Sequence, residues 1–165
     1  MKLKNPFKDM RTIKALLTGA ERKALDDGEE RAGAEHLLLA ALDLPDGTAR
    51  RAFERAGAEP DALAAAIAEA HANALQAVGI AAPADDAIAA STPAPAPPGA
   101  LRTGATCRSA FQRASELSRP GHLLGAHVVA AVAEIEEGTT PRALRALGVD
   151  RSALRAAALA ELRES

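Results

Sequence analysis

An all-α fold is what this sequence predicts, on three observations. Ala, Leu, Arg and Glu, all good helix formers, dominate the chain. Runs of Val, Ile and Thr at strand spacing are missing. Apolar and small residues recur at intervals of three and four, first as Ile13, Leu17, Ala20 and Ala24. With 48% apolar residues in 165, the chain can bury a core. Its only aromatic rings are Phe7, Phe53 and Phe111, so that core must be built from Leu, Ala, Val and Ile.

The elements follow in order. The first helix carries the Ile13 to Ala24 face and ends at Gly28. A second begins after Gly33 with Leu37, Leu38, Leu39 and Leu42 and stops at the turn residues Pro45, Asp46 and Gly47. Thr48 is placed to cap a short third helix that Gly57 terminates, and Pro60 suits the first position of a fourth carrying Leu63, Ile67, Ala70, Ala74 and Leu75. From Gly79 to Ala100 the pattern gives way to Ala and Pro. Proline fixes φ and removes amide donors there, so an extended connector is expected. Helical spacing resumes with Ala110, Phe111, Ala114 and Leu117, then with Val128, Val129, Val132 and Ile135 from about Gly125. Thr140-Pro141 and Asp150 mark two further helix starts.

The second half repeats the first. Gly47 and Gly138, Thr48 and Thr139, Gly57 and Gly148, and Leu63 and Leu154 are each 91 positions apart. The predicted organisation is a helical repeat over 9–78, a Pro/Ala-rich linker over 79–100 and a second repeat over 101–164, the two packed together as pseudo-symmetric four-helix units.

Composition excludes several function classes. A formal charge of −2 argues against a general nucleic-acid binder. The basic cluster Lys2, Lys4, Lys8, Arg11 and Lys14 keeps one alternative in view, a helical regulator that contacts DNA or an acidic partner. Cys107 is the only cysteine, which rules out an intrachain disulfide and suits a reducing compartment, by default the cytoplasm. Polar residues interrupt any secretory signal, and no segment approaches the ~20 apolar residues of a spanning helix, so no membrane partner is expected. Cys107 with His122 or His127 is a conceivable thiol-hydrolase pair. It lacks a third orienting group and an oxyanion motif, and zinc would want a denser Cys/His cluster; no enzyme, metal or cofactor is expected.

In its details the repeat resembles the N-terminal repeat domain of the Clp-type unfoldases. The first copy supplies Leu17, Ala20, Ala24 and Gly28, then Gly33, Ala34, Glu35, His36, Leu37, Leu38 and Leu39, then Gly47 and Gly57, where that family carries a Gly-Thr-Glu-His-Leu-Leu-Leu segment between its helices. The second supplies Phe111, Ala114 and Gly125, Ala126, His127, Val128, Val129, with no Glu and with a shorter loop before Gly125. No Gly-x-x-x-x-Gly-Lys-Ser/Thr phosphate loop occurs in these 165 residues, so the resemblance is to a free-standing version without ATPase domains. It implies a role in docking Clp-type unfoldases, adaptors or substrate peptides. It also implies that Glu35 pairs with the guanidinium of phosphorylated arginine, although an acidic residue in a first helical turn is favoured by the macrodipole with or without a ligand. Phe7 and the stretch around Leu101 and Thr103 flank the repeat starts, where relatives present an apolar groove used by adaptors and cyclic peptide antibiotics. His36 is expected to pack or hydrogen-bond at its helix start.

Overall fold

A computed structural model describes residues 6–79 and 102–165 of the chain. Most of the connector, together with Lys2, Lys4 and Leu101, lies outside the described residues. Among the described residues there are eight α-helices and no strand: α1 (Pro6–Asp26), α2 (Ala34–Leu42), α3 (Thr48–Arg55), α4 (Leu63–Ala77), α5 (Ala105–Leu117), α6 (Gly125–Ala133), α7 (Thr139–Ala146) and α8 (Arg151–Glu164). A 3₁₀ turn, Pro60–Ala62, leads into α4, so the predicted Pro60 start is a turn early. None of these helices is long and apolar enough to cross a membrane.

The offset seen in the sequence extends to the helix bounds. The ends of α1 and α5, and both ends of α2 and α6 and of α3 and α7, are each 91 positions apart. The loops 27–33 and 118–124 therefore have equal length, which corrects the shorter loop expected before Gly125.

Burial explains the architecture. All nine residues of α6 are buried, as are all of α2 except Glu35, so these two short helices pack together at the centre. Each fully buried Leu or Val there contributes on the order of 1.5–3 kcal/mol relative to exposure. On α1 the fully buried leucine is Leu16, in line with Ala20 and Ala24, while Leu17 is only partly covered. The spacing selected the right stripe but centred it one residue late. On α5 the buried face is Cys107, Ala110 and Ala114.

The outer helices are exchanged. Helix α1 packs on α2 and α5 on α6, but α4 packs chiefly on α7 of the second half, and α8 lies across α3 of the first half as well as α6. Buried Glu161 on α8 receives Arg51 and Arg55 from α3, the latter at 3.3 Å, and Glu164 pairs with Arg55. The halves thus interlock through their outer helices, a detail of the packing that the sequence did not specify.

Left-handed glycines terminate the helices where expected. At Gly57 (φ 78°) and Gly148 (φ 73°) the following amide turns back, Ala58 to the Phe53 carbonyl at 2.9 Å and Val149 to that of Leu144 at 3.0 Å. Asp150 caps α8 through the Ala153 amide at 2.9 Å. Thr48 does not cap its own helix, whose N-cap is Gly47; its hydroxyl serves a different helix, described next.

Candidate functional site

The first N–H groups of a helix have no partners within it, and the starts of the buried helices α2 and α6 must find theirs elsewhere. At α2 the Gly33 amide donates to His36 Nδ1 at 2.9 Å, so the ring proton sits on Nε2 and is directed to Asp27 Oδ2 at 3.1 Å. The Ala34 amide donates to Thr106 Oγ1 of α5 at 3.2 Å. One residue earlier, the Ala32 amide bonds the Arg102 carbonyl at 2.9 Å and the Gly104 amide returns to the Ala32 carbonyl at 2.7 Å, an isolated bridge that holds Thr103 beside Ala32.

Glu35 folds back over this start. A Cβ on Gly33 would lie 2.6 Å from Glu35 Oε2, so only glycine leaves room for the carboxylate as it stands. Its Oε1 lies 3.4 Å from His71 Nε2 on α4 and 3.7 Å from His36 Nδ1. Burial works to raise the Glu35 pKa, but the hydrogen bond from His71, the residue's own amide and the neighbouring imidazoles outweigh it, and the carboxyl is held below its ordinary value. The same bond raises His71 against the opposing effect of burial.

At α6 the Leu124 amide donates to His127 Nδ1 at 3.0 Å, repeating the histidine device. The next amides go to the first half of the chain, Gly125 to Asp46 Oδ2 at 3.2 Å and Ala126 to Thr48 Oγ1 at 2.8 Å. The Leu123 amide reaches Asp9 Oδ1 of α1 at 3.1 Å, and Asp9 also meets His122 Nδ1 at 3.1 Å. Beside this start opens a cleft of about 580 Å³ floored by Phe7, Leu44, Pro45 and Leu124 and edged by Lys8, Arg11, Thr12 and Asp46. Phe7 is 72% exposed in it, and Met10 is exposed on the same helix. A second cleft of about 710 Å³ shares Lys8, Asp46 and Leu124 and continues toward Arg51, Arg55 and Glu164.

The residues singled out in the sequence do not form one site. Glu35 and Thr103 lie by the start of α2, whereas Phe7 lies by the start of α6. Sequence reasoning missed His71, the partner of Glu35, and the Asp46–Thr48 pair. His71 is 36 positions from Glu35 in an Ala-rich helix, and no local pattern joins them. His36 behaves as expected, as a buried hydrogen-bonding residue. Cys107 is fully buried, and burial, then the Glu35 charge, push its thiol up to about 11, which leaves almost no thiolate at neutral pH. Among the described residues no group of three His, Cys, Asp or Glu side chains is placed to hold a metal ion.

Comparison with known proteins gives a consistent picture. The family model described as the Clp repeat (R) N-terminal domain matches residues 11–120. No curated protein matches. The fold is similar to the crystal structure of the N-terminal domain of the caseinolytic protease associated chaperone ClpD from Arabidopsis thaliana, with a TM-score of 0.62 and 19% identity over 99% of each chain. Because that family model spans residues 11–120, from α1 through α5, this chain belongs to the Clp N-terminal repeat family.

Proposed function

We propose that the chain is a polypeptide-docking module of Clp-dependent proteolysis, an adaptor, decoy or regulator, and that the Phe7 cleft receives an apolar segment of the guest. The observation that carries this reading is an exposed aromatic ring set over Leu44, Pro45 and Leu124. A largely exposed aromatic side chain lining a concave site is a docking feature. Asp46 on the rim is committed to Thr48 and to the α6 start, so the cleft edge presents the positive charges of Lys8 and Arg11. A segment with apolar anchors and acidic flanks matches that edge, be it part of a substrate, an adaptor, an unfoldase or a cyclic peptide.

A second reading, recognition of phosphorylated arginine by Glu35, draws support from the depressed pKa that keeps this carboxylate ionised at the start of a helix. It requires the guest to displace His71. One titration series tests both. An acidic, leucine-rich peptide and free phosphoarginine are each titrated calorimetrically into wild type, Phe7→Ala and Glu35→Ala. Phe7→Ala is expected to weaken the peptide about tenfold, the equivalent of ~1.4 kcal/mol, without loss of fold. Equal peptide affinity in wild type and Phe7→Ala removes the cleft from the function, and equal phosphoarginine binding in wild type and Glu35→Ala removes Glu35.

A further inference from the structure

His71 stands between two carboxylates. Its Nε2 faces Glu35 Oε1 at 3.4 Å and its Nδ1 faces Glu29 Oε1 at 3.8 Å. Glu35 is near enough to take a hydrogen bond, whereas Glu29 meets the ring at ion-pair distance; a neutral imidazole serves only the first, and the positive imidazolium suits both. His36, 6.3 Å away ring to ring in an edge-on arrangement, has the opposite disposition, since its Nδ1 accepts the Gly33 amide. The two neighbouring rings thus meet different demands: His36 offers Nδ1 as an acceptor, whereas His71 has an acceptor facing each of its nitrogens. The His71 bridge also joins elements that otherwise have little to do with one another, because α4 packs mainly on α7 and only lightly on α2.

We infer that His71 is a proton-operated latch that pins α4 to the start of α2 and covers the Glu35 carboxylate. With the proton in place, the ring ties Glu35 and Glu29 to α4. Without it, the charge that attracts both carboxylates is lost, α4 loosens and Glu35 is left without its cationic partner. The titratable groups that face the latch are Glu35 and His36 on α2, Asp27 and Glu29 in the loop before it, and Cys107 on α5, which feels the Glu35 charge. Of these, Glu35 is held below its ordinary value and the Cys107 thiol above its own, so both keep one state near neutral pH, and His71, with a carboxylate on either side, is the group placed to switch. The direction is fixed: the latch is shut on the acid side of the His71 midpoint and opens as pH rises through it. This inference is independent of which guest, if any, occupies the Phe7 cleft.

The test needs no guest. The His71 ring resonances are followed by NMR from pH 4.5 to 9 in wild type, Glu35→Gln and Glu29→Gln, together with hydrogen exchange of the α4 amides on either side of the midpoint. The expected result is a wild-type midpoint above that of a free histidine, lowered in Glu35→Gln and less so in Glu29→Gln. Exchange within α4, corrected for its intrinsic pH dependence, should rise about twofold or more above the midpoint in wild type and be insensitive to it in Glu35→Gln. A wild-type midpoint at the free value, or α4 protection that is equal on both sides of it, overturns the latch. His71→Gln keeps a polar side chain of similar reach and should show the loosened α4 at every pH; if its α4 is as protected as that of acidic wild type, the latch is likewise rejected.

Discussion

The starts of α2 and α6 solve one problem in two ways. Both helices are buried, both have a histidine three residues past the N-cap accepting the N-cap amide, and both have a carboxylate close by. At α2 the carboxylate is Glu35, supplied by the helix itself, and it remains partly open to solvent against His71. At α6 the position equivalent to Glu35 is Ala126, and the carboxylate is Asp46, which arrives with Thr48 from the other half of the chain and takes up the Gly125 and Ala126 amides with it. One helix start has kept a charge that can change partners; the other has become an interface. Duplication preserves the backbone solution, and the choice of which half supplies the acid decides whether the site can respond to anything.

Substitution at the two small residues gives the largest contrast. A Cβ on Gly125 would meet Ala49 Cβ at 2.9 Å, the Ala41 carbonyl oxygen at 3.1 Å and the Ala49 amide nitrogen at 3.3 Å, atoms that cannot swing aside. Gly125→Ala is therefore expected to cost about 2–3 kcal/mol in urea unfolding. Gly33→Ala collides only with the Glu35 carboxylate, the far end of a flexible side chain. Its cost should stay below about 1 kcal/mol, because rotation of Glu35 relieves the overlap at the expense of a strained or altered rotamer. Equal costs at the two positions would mean that the α6 start is no more tightly built than that of α2.

The hydroxyls rank next. Thr48 is buried and Thr106 is exposed, yet each accepts one helix-start amide. Thr48→Val should lose about 1.5 kcal/mol by stranding the buried Ala126 amide, and Thr106→Val about 0.5 kcal/mol, since water can replace its oxygen. Both are read from the same denaturation curves.

The smallest effect is the pH dependence contributed by Glu35. A raised His71 pKa contributes stability that is complete below the ordinary imidazole value and is lost as pH rises through the folded-state value. A lowered Glu35 pKa contributes stability that is present above the ordinary carboxyl value and is lost as pH falls through the folded one. The pair is thus strongest between roughly pH 5 and 6.5. Glu35→Gln should narrow its gap to wild type above that window, a trend measurable as the difference in Tm across buffers. Asp46 faces amides and a hydroxyl, and the histidine that feels its charge, His127, is held below its ordinary value by burial, so Asp46→Asn should show no such narrowing on the alkaline side.

The sequence revealed most of what is set by neighbours along the chain. Gly28, Gly57 and Gly148 announce helix ends because only glycine takes the left-handed turn cheaply there, and the 91-residue offset reproduces helix bounds that depend on those punctuation marks. His36 was legible for the same reason, its partner amide lying three residues away. What escaped depends on contacts between distant segments. Leu16 rather than Leu17 is buried because α2 decides the rotation of α1, and nothing local distinguishes the two leucines. Thr48 reads as a cap for α3 but is claimed by α6, 78 positions away. His71 is one of four polar residues on an Ala-rich helix, beside Glu69, Asn73 and Gln76, and has meaning only beside Glu35.

The exchange of outer helices reaches beyond packing. Arg51 and Glu161 meet across 110 positions of chain, and the closure cost of such loops falls due before either half gains its full set of partners. Each half completes its wall with a helix borrowed from the other, so a cut between them would bare apolar surface on both pieces.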